Sequence, residues 1–317
     1  MKKLLIFIPC YNEEKNLSET YNSIPKKFKS ISEHEVIVVD DCSKDKTIEE
    51  AKNLNLKVLS HEKHQGLAKI FNSMVNYFIQ SEFDLMCVLD ADNQYDSEDI
   101  KALVSEMNIN NLDMIVGSRN IIKDQNMSFY KKFFQVLGSW IVSLIIGTKI
   151  HDVTSGFRIY NRNCFNNKFQ IENNFSYTIE SLIIFSWKKL NIGSKYIKTN
   201  SKKLRPSRLF KSNSEYIKKQ TIIILKNFNK YFPFKFFSII SFVFLIPGIL
   251  ISLRFLFIHF SGGNGHVQSL ILASILIIAS MLIFVMGIIS YSISDLNFKL
   301  KNINNNDQEK ISYKIID

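Results

Sequence analysis

The N-terminal part of the chain alternates short apolar runs with longer stretches in which apolar positions recur every three or four residues. Segments 4–8, 35–39, 57–59, 85–89 and 114–116 have the length and composition of strands. Segments 15–23, 46–53, 67–81 and 97–108 carry helical spacing between them. A βαβ series of this kind predicts an α/β fold, a mainly parallel sheet with helices on both faces. Ligands bind such sheets outside the carboxyl ends of the strands. The residues directly after each strand therefore matter most.

The pattern then changes. Segment 236–260 is 25 residues with one charge, Arg254, and segment 267–293 is 27 residues with none. Each exceeds the roughly 20 residues that cross a bilayer core, so they predict a two-helix transmembrane hairpin joined at 261–266. Lysines crowd both flanks, at 218, 219, 226, 230 and 235 before and at 299 and 301 after. By the positive-inside rule this multi-pass protein of the cell membrane keeps its catalytic half cytoplasmic, with Arg254 snorkelling at the far interface. Segment 211–233 mixes Ile217, Ile222, Ile224, Leu225 and Phe228 with lysines ahead of Pro233. It reads as an amphipathic helix in the membrane interface, with a packed surface helix as the alternative. Segment 133–146 is apolar but interrupted by Gln135, Gly138 and Ser139, and reads as a buried or interfacial helix near an acceptor site. The expected organisation is a domain over 1–210, the interfacial helix over 211–233, the hairpin over 234–293 and a loose cytoplasmic tail over 294–317.

Composition narrows the partners. The chain is 46% hydrophobic, which excludes global disorder. Its four cysteines, at 10, 42, 87 and 164, form no CxxC pair, which argues against a disulfide framework or structural zinc. Only five apolar residues precede Pro9, too few for a secretory signal. The net charge is +11, but only six of the 40 basic residues are arginine and no nucleic-acid module is recognisable. Lipid and phosphate are the expected partners, and nucleic acid is not.

The strongest chemical signal is Leu89-Asp90-Ala91-Asp92-Asn93-Gln94 at the end of an apolar strand. Alternation points Asp90 and Asp92 the same way, and two such carboxylates repel unless a cation joins them. Hard oxygens with an open coordination sphere suit Mg²⁺ or Mn²⁺, which would bridge a diphosphate, and Gln94 can add a neutral oxygen. In Asp40-Asp41-Cys42-Ser43-Lys44-Asp45-Lys46-Thr47, either Ser43 or Asp45 caps the following helix. The further acids there can accept hydrogen bonds from a base or ribose. Pro9-Cys10-Tyr11-Asn12-Glu13 forms the opposite wall, with Tyr11 packing on the base and Glu13 as acceptor. Neither GxGxxG nor GxxxxGK[ST] occurs, which removes the main support for dinucleotide oxidoreductases and P-loop NTPases. Asp152-Val153-Thr154-Ser155-Gly156-Phe157-Arg158 reads as a turn held by Asp and Ser side chains. Arg119, Arg158, Arg205 and Arg208 fall in segments expected around one cleft, a plausible phosphate clamp. His61, His64 and His151 lack metal-ligand spacing and read as incidental.

In this order the motifs, with His64-Gln65-Gly66-Leu67 and Gly117-Ser118-Arg119, resemble glycosyltransferase family 2, in its dolichyl-phosphate mannose synthase and polyprenyl-phosphate glycosyltransferase branch. The likeness covers about residues 1–210, and Gly265 to Leu270 is similar to the membrane anchor of relatives. It implies a nucleotide-sugar glycosyltransferase A-type fold and a GDP- or UDP-sugar donor. The metal would lie on Asp90, Asp92 and Gln94. The nucleotide site would take Pro9, Tyr11, Glu13, Asp40, Asp41, Gln65, Asp90 and Ala91. Asp92, Arg119 and Arg205 would be catalytic, and Arg119, Lys131, Gln135 and Ser207 would meet the acceptor phosphate. Relatives tend to have Arg-Lys-x-x-Ser where this chain has Lys131-Lys132-Phe133-Phe134-Gln135, which keeps the charge and loses the bidentate fork.

The reaction expected is inverting transfer of a hexose to a dolichyl or undecaprenyl phosphate, whose anionic oxygen needs little help from a base. A saccharide hydroxyl acceptor would need one, for which Glu180 is the obvious acid. A non-catalytic membrane scaffold is the third reading, and the anchor could also pack between protomers of a homo-oligomer.

Overall fold

The computed structural model describes residues 1–123, 127–165, 169–172, 176–200, 213–262, 267–303 and 313–316. All five expected strands form, as β1 (Lys2–Cys10), β2 (Ile31–Asp40), β3 (Lys57–Ser60), β4 (Leu85–Val88) and β5 (Met114–Ser118). Three more were not legible: β6 (Arg158–Asn161), β7 (Ile192–Tyr196) and β8 (Lys314–Ile316). They make one eight-stranded sheet in the order β7-β5-β6-β4-β1-β2-β3-β8. β1 pairs in parallel with β2 and β4, as do β2 with β3 and β5 with β7, while β6 runs antiparallel between β4 and β5.

Helices α1 (Leu17–Asn22), α2 (Thr47–Asn53), α3 (Leu67–Gln80) and α4 (Asp99–Ile109) match the expected helical spacings. The strand period of two divides the core between the two faces of the sheet. Leu4, Ile6 and Ile8 of β1 pack with Leu17 and Ala51 of α1 and α2 and with Leu103 and Met107 of α4. Phe7, pointing the other way, meets Tyr77 of α3 edge to face. On that side Phe71 stacks on Tyr177 of α6 (Tyr177–Trp187) at 4.0 Å, within a larger aromatic cluster.

β6 begins with Arg158, which is fully buried and donates four hydrogen bonds, to the carbonyls of Ser155, Thr178 and Val153 and to the Ser181 hydroxyl, at 2.7–3.0 Å. The expectation that Arg158 joins a phosphate clamp is therefore corrected. Its guanidinium ties the turn before β6 to the first turn of α6 and has no access to solvent.

The C-terminal stretch departs from a loose tail. α9 (Val267–Ile303) continues well past the apolar stretch, and β8 pairs antiparallel with β3, placing Ile316 beside Val58. The chain divides into a unit of residues 1–224 with 308–317 and a unit of residues 225–307. The boundary lies within α7 (Asn213–Tyr231), past the expected limit at residue 210.

In the second unit α8 (Pro233–Phe260) and α9 pack along a seam of small residues. The Ser241 hydroxyl donates to the Ser280 carbonyl at 3.0 Å, and a Cβ at Gly248 would come within 3.3 Å of the Ala273 carbonyl. Close backbone approach with interhelical hydroxyl bonding is how helices associate without a hydrophobic driving force. The outer faces of both helices are exposed and apolar, and their 18-residue windows have mean hydropathies of 2.5 and 2.8. Among the described residues three helices, α5 (Phe129–Ile146), α8 and α9, are long and apolar enough to cross a membrane.

Replacing Arg158 strands three buried carbonyls. Arg158→Leu is expected to cost about 3–5 kcal/mol, read as an earlier midpoint in chemical unfolding of the detergent-solubilised protein.

Candidate active site at the carboxyl edge of the sheet

The turns after β1 and β2 are stitched together by side chains. Asn12 N–H donates to the Ser43 hydroxyl at 2.8 Å, and Lys44 N–H to the Asn12 carbonyl Oδ1 at 2.7 Å. Glu13 N–H donates to Thr47 Oγ1 at 2.7 Å, and Glu14 N–H to Asp45 at 3.2 Å. Asp45, rather than Ser43, also accepts the Thr47 N–H at the start of α2. Much of the polarity of both motifs is thus spent on fixing the two loops, with Asn12 and Cys42 both at positive φ.

This changes the reading of Asp40. It is fully buried and its carboxylate accepts the Ser43 N–H at 3.1 Å, so it builds the loop instead of lining a nucleotide cleft. Burial raises its pKa above the ordinary value, partly offset by Ser43. Asp41 is also committed. It accepts the N–H groups of Gln65 and Gly66, each at 2.8 Å, and pairs with His64 Nδ1 at 2.9 Å. Gly66 takes φ +87°, a conformation that favours glycine, and opens α3. Tyr11 stacks on His64, with centroids 4.2 Å apart. His64 is therefore part of the site and not incidental, and the Asp41–His64–Tyr11 series forms one continuous wall with Gln65. Pro9 is half-buried at the end of β1, and Glu13 is buried, accepting from Asn16 at 3.0 Å. Below this wall His61 is buried, its Nε2 against the Ser73 hydroxyl at 2.8 Å, and burial lowers its pKa.

Asp90 and Asp92 follow β4. Ala91 between them turns into the core, and its carbonyl accepts from Thr20 at 2.9 Å, so its side chain does not reach the cleft. The antiparallel register pairs Val88 with Arg158 and thereby brings Gly156 opposite Asp90. A Cβ at Gly156 would lie 2.7 Å from both carboxylate oxygens of Asp90. Burial and the charge of Asp92 push the Asp90 pKa up to about 7, against the pull of Arg119, a hydrogen bond from Tyr95 and the charge of Arg158. The two carboxylates are thus short of positive charge, and a hard divalent cation fits that deficit. Among the described residues no cluster of three acidic, His or Cys side chains surrounds the pair. A cation there would keep positions for diphosphate oxygens and water.

Gln94 is placed differently from expectation. Its Oε1 faces Arg119 Nη1 at 3.4 Å, so its oxygen is turned to a guanidinium and not to the Asp90–Asp92 pair. Arg119 in turn donates from Nε to Asp152 at 2.7 Å and from Nη2 to Thr154 at 3.1 Å. Asp152 is fully buried. Burial alone would raise its pKa, but Arg119 and Thr154 hold it below the ordinary value. Gln135 of α5 reaches the same cluster through Thr154 at 3.2 Å, and Lys131 lies one turn before it.

Asn200 was not singled out by sequence. Its side chain donates to the Asn93 carbonyl at 3.0 Å and its N–H to the Gln94 carbonyl at 2.9 Å, which anchors the chain to the Asp92 turn just before residue 201. Arg205, Ser207 and Arg208 lie outside the described residues. Glu180 is buried in the first turn of α6 and accepts the Glu172 N–H at 2.9 Å.

The mixed, mostly parallel sheet with these turns at its carboxyl edge is an α/β fold of the glycosyltransferase A type. Residues 5–169 match the model of glycosyl transferase family 2, and the chain belongs to that family. It is similar to the dolichol-phosphate mannosyltransferase of Pyrococcus furiosus, 34% identical over 49% of this chain and 45% of that one. It also resembles the UDP-N-acetylglucosamine–dolichyl-phosphate N-acetylglucosaminyltransferase of Methanococcus voltae, 29% identical over 62% of this chain and 86% of that one. The undecaprenyl-phosphate mannosyltransferase of Micrococcus luteus is 26% identical over 50% of this chain and 66% of its own. The chain thus spans under half the length of the Pyrococcus relative and just under two thirds of the Micrococcus one. The fold resembles glucosyl-3-phosphoglycerate synthase from Mycobacterium tuberculosis, solved with Mn²⁺ and UDP-glucose, with a TM-score of 0.53 and 14% identity over 71% of this chain and 77% of that one.

Two outcomes follow from this geometry. Gly156→Ala forces the Asp90 carboxylate to shift, and Mn²⁺-dependent binding of nucleotide diphosphate, measured by calorimetry, is expected to weaken at least tenfold, roughly 1.4 kcal/mol. Burial lowers the His61 pKa in the folded state below its unfolded value of roughly 6.5. The stability this provides is present above that value and lost as pH falls below it. The drop in melting temperature between neutral pH and about pH 5.5 should therefore be smaller in His61→Gln than in wild type.

Proposed function

We propose that the protein transfers a hexose from a GDP- or UDP-sugar to a polyprenyl phosphate, inverting the anomeric configuration. The observation that carries this reading is the juxtaposition of a charge-deficient Asp90–Asp92 pair with the Arg119–Asp152–Thr154 cluster. The first suits a metal-bound diphosphate leaving group and the second an anionic acceptor. The names of the relatives support the same pairing of donor and acceptor.

In this reading the base packs against the Tyr11–His64 wall, and Asp41 holds that wall in place. Asp90 and Asp92 hold Mg²⁺ or Mn²⁺, which when bound offsets the charge of the departing diphosphate. Arg119, kept in one rotamer by Asp152 and Thr154, restrains the acceptor phosphate in line with the leaving group. An oxygen of the acceptor phosphate attacks the anomeric carbon, the bond from that carbon to the nucleotide β-phosphate oxygen breaks, and nucleoside diphosphate departs. The nucleophile is already an anion, so no side chain has to remove a proton. The burial of Glu180 beneath a backbone N–H supports this over a hydroxyl acceptor. α8 and α9 are read as two membrane spans that leave the catalytic unit on the cytoplasmic side, and Arg205 and Ser207, outside the described residues, are assigned to the acceptor phosphate by the sequence resemblance.

The test incubates the detergent-solubilised protein with Mn²⁺ or Mg²⁺, a polyprenyl phosphate and a panel of UDP- and GDP-hexoses, reading lipid products by mass. A phosphate-linked hexose lipid is expected, abolished by chelator and reduced at least a hundredfold in Asp92→Asn, about 2.7 kcal/mol of transition-state stabilisation. Arg119→Lys should lose about tenfold or more, because the fork to Asp152 and the phosphate is gone. Sugar appearing instead on a saccharide hydroxyl would overturn the acceptor assignment.

A further inference from the structure

His151, incidental by its spacing, is engaged by its contacts. Its ring Nδ1 lies 3.1 Å from the Ser194 hydroxyl, and its backbone N–H donates to the same oxygen at 3.3 Å. Ser194 Oγ lies 2.7 Å from Ser118 Oγ, which accepts the Asp152 N–H at 3.2 Å. Asp152 in turn accepts from Arg119 Nε at 2.7 Å. A continuous series of polar contacts therefore runs from an imidazole to the guanidinium of the site. The sheet builds it. β7, at the end of the strand order, pairs in parallel with β5 and sets Ser194 beside Val116 and Tyr196 beside Ser118. Residues two apart on a strand share a face, so the two serines point to the same side.

A serine hydroxyl carries one proton and two acceptor positions. With Nδ1 bare, Ser194 gives its proton to the ring and accepts from the His151 N–H and from Ser118. Ser118 gives its proton to Ser194 and accepts from Asp152. Every group is then satisfied, and all side-chain donors point one way. A proton on Nδ1 turns the ring into a donor to Ser194. Ser194 must then direct its own proton to Ser118, and the Ser118 proton gives up its acceptor. Ser118 and Asp152 are fully buried, so bulk water does not repair the loss.

The ring is half-buried against Tyr196, with centroids 4.2 Å apart. Burial and the charge of Lys149 hold its pKa below the ordinary value, so it is neutral at neutral pH. Lys195, on the opposite face of β7, is paired with Glu106 at 2.7 Å and turned away.

We propose that His151 is a positioning residue whose protonation reverses the Ser194–Ser118 series, loosens the seat of Asp152 and so weakens the hold on Arg119. The purpose of this switch rests on the assignment of Arg119 to the acceptor phosphate. The switch itself does not, and its first test needs no turnover.

The chain has six histidines and six arginines. Their ring and guanidinium signals can be followed by nitrogen NMR in the detergent-solubilised protein, with His151→Asn and Arg119→Lys giving the assignments. At about pH 8 the His151 Nδ1 is expected as a bare acceptor, and an Nδ1–H there would overturn the proposal. On acidification the Arg119 Nε–H signal is expected to shift at the midpoint of the His151 ring. That shift should be absent in His151→Asn, whose amide oxygen accepts from Ser194 without titrating. It should also be absent in Ser194→Ala, where the ring titrates and the series is cut. A step that all three proteins share belongs to Asp90, whose carboxyl also feels Arg119, and counts as no shift from His151. No further shift in wild type, or one that still follows the ring in Ser194→Ala, would overturn the switch. Should Ser194→Ala not fold, Ser194→Cys serves in its place, because a thiol is a weak donor and acceptor. With turnover established, kcat/KM for the acceptor is compared at about pH 8 and about pH 5.5 within each protein. Wild type is expected to lose about threefold more than His151→Asn, and equal losses would overturn the coupling. A His151-dependent Arg119 shift without turnover on any phosphate acceptor would sustain the switch and overturn only the acceptor assignment.

Discussion

Five carboxylates, those of Asp40, Asp41, Asp90, Asp92 and Asp152, are gathered at the carboxyl edge of one sheet, three of them buried and two partly so, and the cost of taking them out of water organises everything nearby. An ionised carboxylate leaves water only when something replaces its hydration. Asp40 is given a backbone N–H, Asp41 two N–H groups and an imidazole, and Asp152 a guanidinium and a hydroxyl. The loops after β1 and β2, the entry to α3 and the turn before β6 take their shapes from these obligations. Asp90 and Asp92 are the exception, since no partner of equal weight reaches them within the described residues. The edge satisfies three acids and leaves two in need, which is the ground for the cation of the proposed reading.

The same compensation separates the two arginines of the neighbourhood. Arg158 spends its donors on carbonyls and a hydroxyl and holds fold elements together; its field reaches Asp90 only through space. Arg119 is held by a carboxylate, a hydroxyl and the Gln94 amide oxygen, with 12% of its side chain open. A guanidinium so anchored has little rotamer freedom left to lose, which is what recommends it for the anion of the proposed reading.

Much of this was legible in the sequence, and the failures have physical causes. β1 to β5 are apolar runs bounded by turn residues, so strand propensity and burial agree. β6 was missed because Arg158 opens it, and a buried arginine is indistinguishable in sequence from a solvated one. β7 carries Gly193 and Lys195, and β8 follows a long polar stretch, so neither presents a strand pattern. The acids of the site were found, but not their orientations. Asp40 and Asp41 look alike in sequence, yet one packs inward, and alternation along an irregular turn does not say which. His64 was passed over because its partner Asp41 is 23 residues away and no metal-ligand spacing connects them. Gly156 owes its role to the pairing of Val88 with Arg158, a register that no local pattern encodes.

The return of the chain to β3 carries a consequence for biogenesis. Because β8 is the last strand in sequence and the outermost in the sheet, the hydrophobic hairpin is an insertion within the catalytic unit and not an appendage to it. Until residues 314–316 emerge, β3 presents an open row of backbone donors and acceptors, the kind of edge that recruits other chains. The edge of β3 is paired only after α8 and α9 have been synthesised. Synthesis of the two apolar helices and completion of the β3 edge are thereby tied to one order of events.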